Sequence, residues 1–138
     1  PNAIVHDGTI YLIYSGSLVG IDYTTGLVTA PAGQDADLTD PNVWTKLDYP
    51  LQKSGVYNGQ WQLGTGHGMW SNDEDGNLIY VFHNAEYENG RYGGRDAQVR
   101  RVHWSKEGMP ILDMQAAEEL NPDYADITMK IVVSGNEG

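Results

Sequence analysis

The chain has 138 residues and a formal net charge of −11, with 8 Lys plus Arg against 19 Asp plus Glu. That length suits one domain with a real core, burying about 65–70% of its unfolded surface, and 40% hydrophobic residues can fill it. So acidic a surface repels phosphate backbones and excludes nucleic acid, while the absence of cysteine excludes disulfides, thiolate nucleophiles and cysteine-based zinc sites.

No run approaches the roughly 18–20 apolar residues of a membrane helix, so no membrane partner is expected. The chain opens at Pro1 without a Met or a basic start, so no signal peptide is read and it is expected to continue a longer gene product. With 17 Gly and 9 Tyr, and with β-branched residues in short runs, the composition leans to strands. Asp7-Gly8 is a turn dipeptide leading into an apolar strand over 9–14. A strand over 26–30 follows. Asp75-Gly76 introduces residues 78–82 in the same way, and 97–104 reads as a further strand. The runs at 9–14 and 78–82 are nearly continuous in apolar residues, as in strands covered on both faces. Helix is confined to 114–120, where Asn121-Pro122 stops it. Residues 127–133 read as a closing strand and 134–138 as a linker.

An internal repeat organises these elements. Shifting the chain by 68 lays Asp7-Gly8-x-Ile10 onto Asp75-Gly76-x-Leu78, and shifting by 60 lays Trp44-Thr45-Lys46 onto Trp104-Ser105-Lys106. Repeated units of four short antiparallel strands suggest propeller blades; a tandem hairpin sandwich also fits. Two blades do not close a ring, which leaves missing blades or a second copy to complete them.

Three segments carry candidate chemistry. In Gly64-Thr65-Gly66-His67-Gly68-Met69-Trp70, glycines let the backbone approach a cavity while the imidazole projects from a strand start. The alternative is a tight turn with a hydrogen-bonded His. Residues 84–96 read as a flexible loop whose Arg95 could hold a sugar hydroxyl with its fork of donors, or pair locally with Asp96. The acidic run 72–77 fails as a calcium loop, because Phe82 stands where a Glu is required, and it reads as a hairpin turn. The histidines at 6, 67, 83 and 103 lack zinc-motif spacing. Trp61, Trp70, Tyr57, Tyr87 and Tyr92 form an aromatic theme suited to sugar rings or to a core.

In order along the chain stand Asp7-Gly8-x-Ile10-Tyr11-Leu12-x-Tyr14-Ser15, Tyr23-x-x-Gly26-Leu27, Asp40-Pro41-x-x-Trp44-x-Lys46 and Gly64-x-Gly66-His67. Asp73-Glu74-Asp75-Gly76, Tyr80-x-x-His83, Gly94-Arg95 and Trp104-x-x-x-Gly108-x-Pro110 follow. Over residues 1–112 this succession resembles the C-terminal blades of glycoside hydrolase family 43, arabinofuranosidases, arabinanases and xylosidases on a five-bladed β-propeller. The resemblance implies an all-β fold, about two blades in 1–112, with 113–138 supplying a short helix, closing strand and linker. It implies an inverting hydrolase acting on arabinofuranosides or xylosides of plant polysaccharide, with an extracellular location favoured. Its acid Glu would lie just before Pro1 and both Asp further upstream, so no catalytic residue falls in this chain and the isolated chain would be inactive. Arg95, His67 and Trp70 would line the sugar pocket. His67 would meet a structural calcium ion in the central channel, directly or through water. Thr65 departs from the family's usual Pro, and Gly68-Met69-Trp70 from a more frequent Asn-Ser-Phe. The rival expectations are a non-catalytic carbohydrate-binding β-domain and a half-propeller that assembles as a homo-oligomer.

Overall fold

The computed structural model describes residues 1–115, 118 and 129–132. Two four-stranded antiparallel sheets make up the body. The first joins β1 (Asn2–His6), β2 (Thr9–Gly16), β3 (Thr24–Pro31) and β4 (Thr45–Lys46) in chain order. The second joins β5 (Gly55–Tyr57), β6 (Gln60–Asn72), β7 (Leu78–Glu88) and β8 (Arg91–Arg101), again in chain order. Such up-and-down meanders are the sheet pattern of propeller blades. A small hairpin follows, β9 (His103–Trp104) on β10 (Pro110–Ile111).

Local chemistry explains the turns. Asp7 and Gly8 both have positive φ, 48° and 74°, which makes a two-residue hairpin between β1 and β2. The second turn is different, a correction to the parallel expected from Asp75-Gly76. It takes five residues, with the Asp73 N–H donating to Asn77 O at 2.9 Å and only Gly76 at positive φ, 82°. The Asp73 carboxylate accepts from the N–H groups of Asp75 and Asn77 and from Asn77 Nδ2, at 3.0, 2.8 and 2.9 Å. Arg101 lies 3.6 Å away. That carboxylate is spent on the turn, as expected of a hairpin.

The 68-residue repeat has a structural meaning. It lays β1 and β2 onto β6 and β7, the second and third strands of their sheet. The second sheet therefore carries an additional strand, β5, on the side where β1 is an edge.

The core lies between the sheets, where β1, β2 and β3 pack on β6. Tyr11, Ile13 and Leu27 from the first sheet meet Trp70, Tyr80 and Phe82 from the second, with Val102 and Leu112 closing the cluster. In β2 burial alternates on one face, as Tyr11 and Ile13 show, whereas in β7 the consecutive Ile79 and Tyr80 are both buried, so that strand is covered on both faces there. The β9–β10 hairpin is pinned back on the first sheet. Trp104 stacks on His6 with ring centroids 3.8 Å apart, and Tyr11 Oη donates to Gly108 O at 2.6 Å. Residues 116, 117, 119 and 120 of the helix expected over 114–120, and 127, 128 and 133 of the closing strand expected over 127–133, lie outside the described residues. Residues 129–132, which are described, are not in a strand.

Candidate functional site

The segment 64–70 is not a strand start. It sits in the middle of β6, a central strand, and the pairing with β7 slips twice, between Leu63 and Gly66 and between Gly66 and Met69. The slips coincide with left-handed backbone at Gly64, φ 56°, and at His67, φ 52°. A non-glycine residue there stores strain of about 1–2 kcal/mol, which the paired strands on either side must hold. Bulges re-aim side chains, and here they leave His67 exposed directly after the buried Gly64, Thr65 and Gly66. Gly66 is required by close approach, because a Cβ would sit 2.5 Å from the Tyr23 ring.

The stretch 84–96 is not a flexible loop either. It is the β7–β8 hairpin, turning at Asn89-Gly90, with Ala85 opposite Arg95 and Asn84 opposite Asp96. Neighbouring side chains on a strand point to opposite faces, and among the described residues no ion pair joins Arg95 to Asp96.

His83 is where these parts meet. Its ring stacks on Tyr23 with centroids 5.8 Å apart and lies 6.3 Å from the His67 ring. Partial burial holds its imidazole below the usual range, and the charges of Arg95 and His67 push the same way. His67 and Arg95, 28 positions apart, therefore act on one half-buried, neutral imidazole. Tyr92 flanks the group: burial raises its phenol above the ordinary value, Tyr87 and Asp22 add to this, and Arg95 opposes it. The Tyr92 ring packs on Tyr87 at 5.6 Å, and its hydroxyl is buried without a partner.

Sequence reasoning passed over His83 and Tyr23. His83 sits opposite Gly66 in the β6–β7 ladder, a pairing no sequence spacing announces. Trp70 is a correction. It is 5% exposed, its indole Nε1 donates to Tyr11 O at 3.3 Å, and it packs edge-on to Tyr80. It belongs to the core and does not join the His83 group. Of the other aromatics, Trp61 is 70% exposed, while Tyr57 lies under the Arg100 guanidinium.

The donor chemistry around His67 does not make a calcium cage. Calcium takes six to eight oxygen ligands, whereas the neighbours of His67 and His83 are an imidazole, a phenol ring and a guanidinium. Among the described residues no three His, Asp or Glu side chains gather at one point. What the arrangement can do is present polar donors to a neutral polar ligand, the exposed His67 and Arg95 beside the half-buried His83, whose ring is backed by the buried Tyr23.

The glycosyl hydrolases family 43 model matches residues 1–110. An extracellular exo-α-(1→5)-L-arabinofuranosidase of Streptomyces avermitilis is 31% identical over 130 residues, covering 88% of this chain and 26% of that protein. The α-L-arabinofuranosidase 43 of Humicola insolens is 35% identical over 116 residues, covering 80% of this chain and 23% of its own. Among solved structures, an α-L-arabinofuranosidase from Lactobacillus brevis has a TM-score of 0.69 at 30% identity, over 80% of this chain and 34% of that one. The chain spans about a quarter of the length of these curated relatives. Its two bladed sheets and its residues 1–110 make it a member of glycosyl hydrolase family 43.

Proposed function

We propose that this chain forms the C-terminal, sugar-holding blades of an inverting glycosidase that removes α-L-arabinofuranosyl units from plant polysaccharide outside the cell, β-xylosides being the second substrate class. The convergence of His67, Arg95 and Tyr23 on His83 carries this reading. Arg95 offers a fork of donors to sugar hydroxyls, and a neutral His83 both donates and accepts. Inversion needs an acid and a base about 6.5–9.5 Å apart with a water between them. The charges acting on His83 are those of Arg95 and His67, with no carboxylate among them. In this reading the acid Glu and the two Asp are supplied by the rest of the protein, and the chain by itself is expected to leave substrate intact. Were calcium held in a channel of the whole protein, His67 would be this chain's contribution to it, and no step is routed through the ion.

Two measurements test the reading. The chain should leave nitrophenyl arabinofuranosides and xylosides intact; turnover that survives repurification overturns the division of labour. Titration with an arabino-oligosaccharide should shift the ring signals of His67 and His83, and Arg95→Ala should weaken binding about tenfold or more, the loss of a charge-assisted bond. Ring signals that stay put at saturating sugar would remove the site. A carbohydrate-binding β-domain working through exposed Trp61 predicts instead that Trp61→Ala abolishes binding while Arg95→Ala does not.

A further inference from the structure

The first sheet is apolar on both faces. Side chains alternate along β2, so Tyr11 and Ile13 turn into the core while Ile10, Leu12 and Tyr14 turn away from it. Cross-strand partners extend this outer face: Val5 stands opposite Ile10, and Val28 opposite Leu12. Val5 is 64% exposed, and Ile10, Leu12, Tyr14 and Val28 are half-buried. A sheet with two apolar faces calls for a layer on each.

The second sheet has an outer face as well. Trp70, Tyr80 and Phe82 turn into the core, so Met69 and Val81, paired across β6 and β7, turn outward. Val99 of β8 pairs with Val81 and continues the row. Met69 is 51% exposed, Val81 and Val99 are half-buried, and Ile79 on this face is already covered.

The internal repeat shows what fits these faces. The shift of 68 lays Leu12 and Tyr14 onto Tyr80 and Phe82, and Ile13 onto Val81. Within the molecule, Tyr11 and Ile13 meet Tyr80 and Phe82 in one cluster. The outer faces are the counterparts of that contact: Leu12 and Tyr14 match its second-sheet side, and Val81 matches its first-sheet side. Each outer face therefore finds its complement on a second copy of the same chain. None of the outer positions named is Asp or Glu, so bringing them together buries no unpaired carboxylate.

We propose that the chain assembles head to tail with copies of itself. The outer face of one copy's first sheet, at Val5, Leu12 and Tyr14, seats on the outer face of the next copy's second sheet, at Met69, Val81 and Val99. A contact between unlike surfaces forms a ring when its rotation closes. Two copies bring four of the four-stranded sheets and three bring six, within the roughly four to eight blades of propellers. The contact is face to face, distinct from pairing at the β1 edge, and it stands whether or not the His83 group binds sugar.

The test is sedimentation velocity at about 0.15 M salt, where the Debye length is about 8 Å. A discrete species of two or three copies is expected. Leu12→Lys and Met69→Glu should each weaken association about tenfold or more, because each buries a lone charge. Val5→Lys, at an exposed position, repeats the Leu12 test should that variant fail to fold. Mixing a folded Lys variant with the Met69→Glu chain should restore assembly, since the mixed ring has one contact with both faces native. Loss in the Lys variants alone or in Met69→Glu alone means a contact between like faces and overturns the proposal. Undiminished assembly in Leu12→Lys and Met69→Glu assigns the association to the β1 edge and also overturns it. So does a failure of the mixture to reassemble, or a monomeric unaltered chain, whose faces then await a sheet other than a copy's.

Discussion

At the scale of single residues, two buried polar groups decide much of the local energetics. Tyr80 is fully buried, and its hydroxyl shares a hydrogen bond of 2.7 Å with Thr25 Oγ1 across the two sheets. Burial pushes the phenol up to about 12, the Thr25 bond opposing it, so it stays neutral throughout the working range. Thr25→Val leaves that hydroxyl unpaired and should cost about 1–3 kcal/mol of stability in denaturant unfolding. Adding Tyr80→Phe should recover part of the loss, because both ends of the bond are then apolar. A double-mutant cycle with no coupling would place the bond outside the stability of the sheet pair.

His83 makes a pH prediction at the same scale. Its folded pKa is depressed, by burial first and then by Arg95 and His67, while Tyr23 covers the ring. The unfolded chain therefore binds more protons than the folded one as pH falls below the ordinary histidine value, about 6.5. Stability contributed by neutral His83 is fully present above that pH and is lost as pH falls through the depressed value. The denaturation midpoint should drop on acidification through this window, and His83→Gln should flatten that part of the profile. An unchanged slope would show that protonation of His83 is not opposed in the fold.

At the scale of elements, β6 illustrates a strand that trades stability for placement. Its two bulges put His67 at φ 52°, a conformation glycine adopts without penalty. His67→Gly should therefore raise stability by up to about 1 kcal/mol, offset in part by the larger entropy of unfolded glycine, and should weaken sugar binding. Thermal unfolding and ligand titration on the same preparation check both halves. Equal stability loss and binding loss would mean that the His67 side chain supports the strand rather than the ligand. Gly66→Ala acts through the neighbouring sheet: its Cβ meets Tyr23 at 2.5 Å, so the Tyr23–His83 stack should be the first packing to come apart.

At the scale of the molecule, the two sheets are unequal. The strand β6 has β5 on one side and β7 on the other, whereas among the described residues its repeat partner β1 pairs in a sheet with β2 alone. An open edge of this kind is a template for another strand. We expect the chain to self-associate, with a dimer as the simplest outcome. The net charge of −11 opposes that association at long range, and salt screens it, the Debye length falling from about 30 Å at 0.01 M to about 10 Å at 0.1 M. Light scattering should therefore show the mass rising with ionic strength. A monomer at every salt concentration, with cooperative unfolding, would contradict the expectation.

Local pattern and spacing decided several things on their own. The strand-rich composition, the apolar runs at 9–14 and 78–82 and the Asp7-Gly8 turn mark β2, β7 and the first hairpin, because period and turn chemistry are short-range properties. The acidic run at 72–77 was legible as a turn for the same reason. The flanking glycines of His67 and the Gly94-Arg95 pair marked two segments of the candidate site. Tertiary structure decided the rest. Residues 84–96 look like a loop because Gly, Asn and charged residues dominate them, yet pairing across Asn89-Gly90 makes them two long strands. Trp70 is in the core because its indole meets Tyr80 and Tyr11 from two different strands. His83 joins His67, Arg95 and Tyr23 only through the β6–β7 register and the packing of the sheets. Side chains far apart in sequence share an environment only once the sheets are stacked, and no local spacing encodes that.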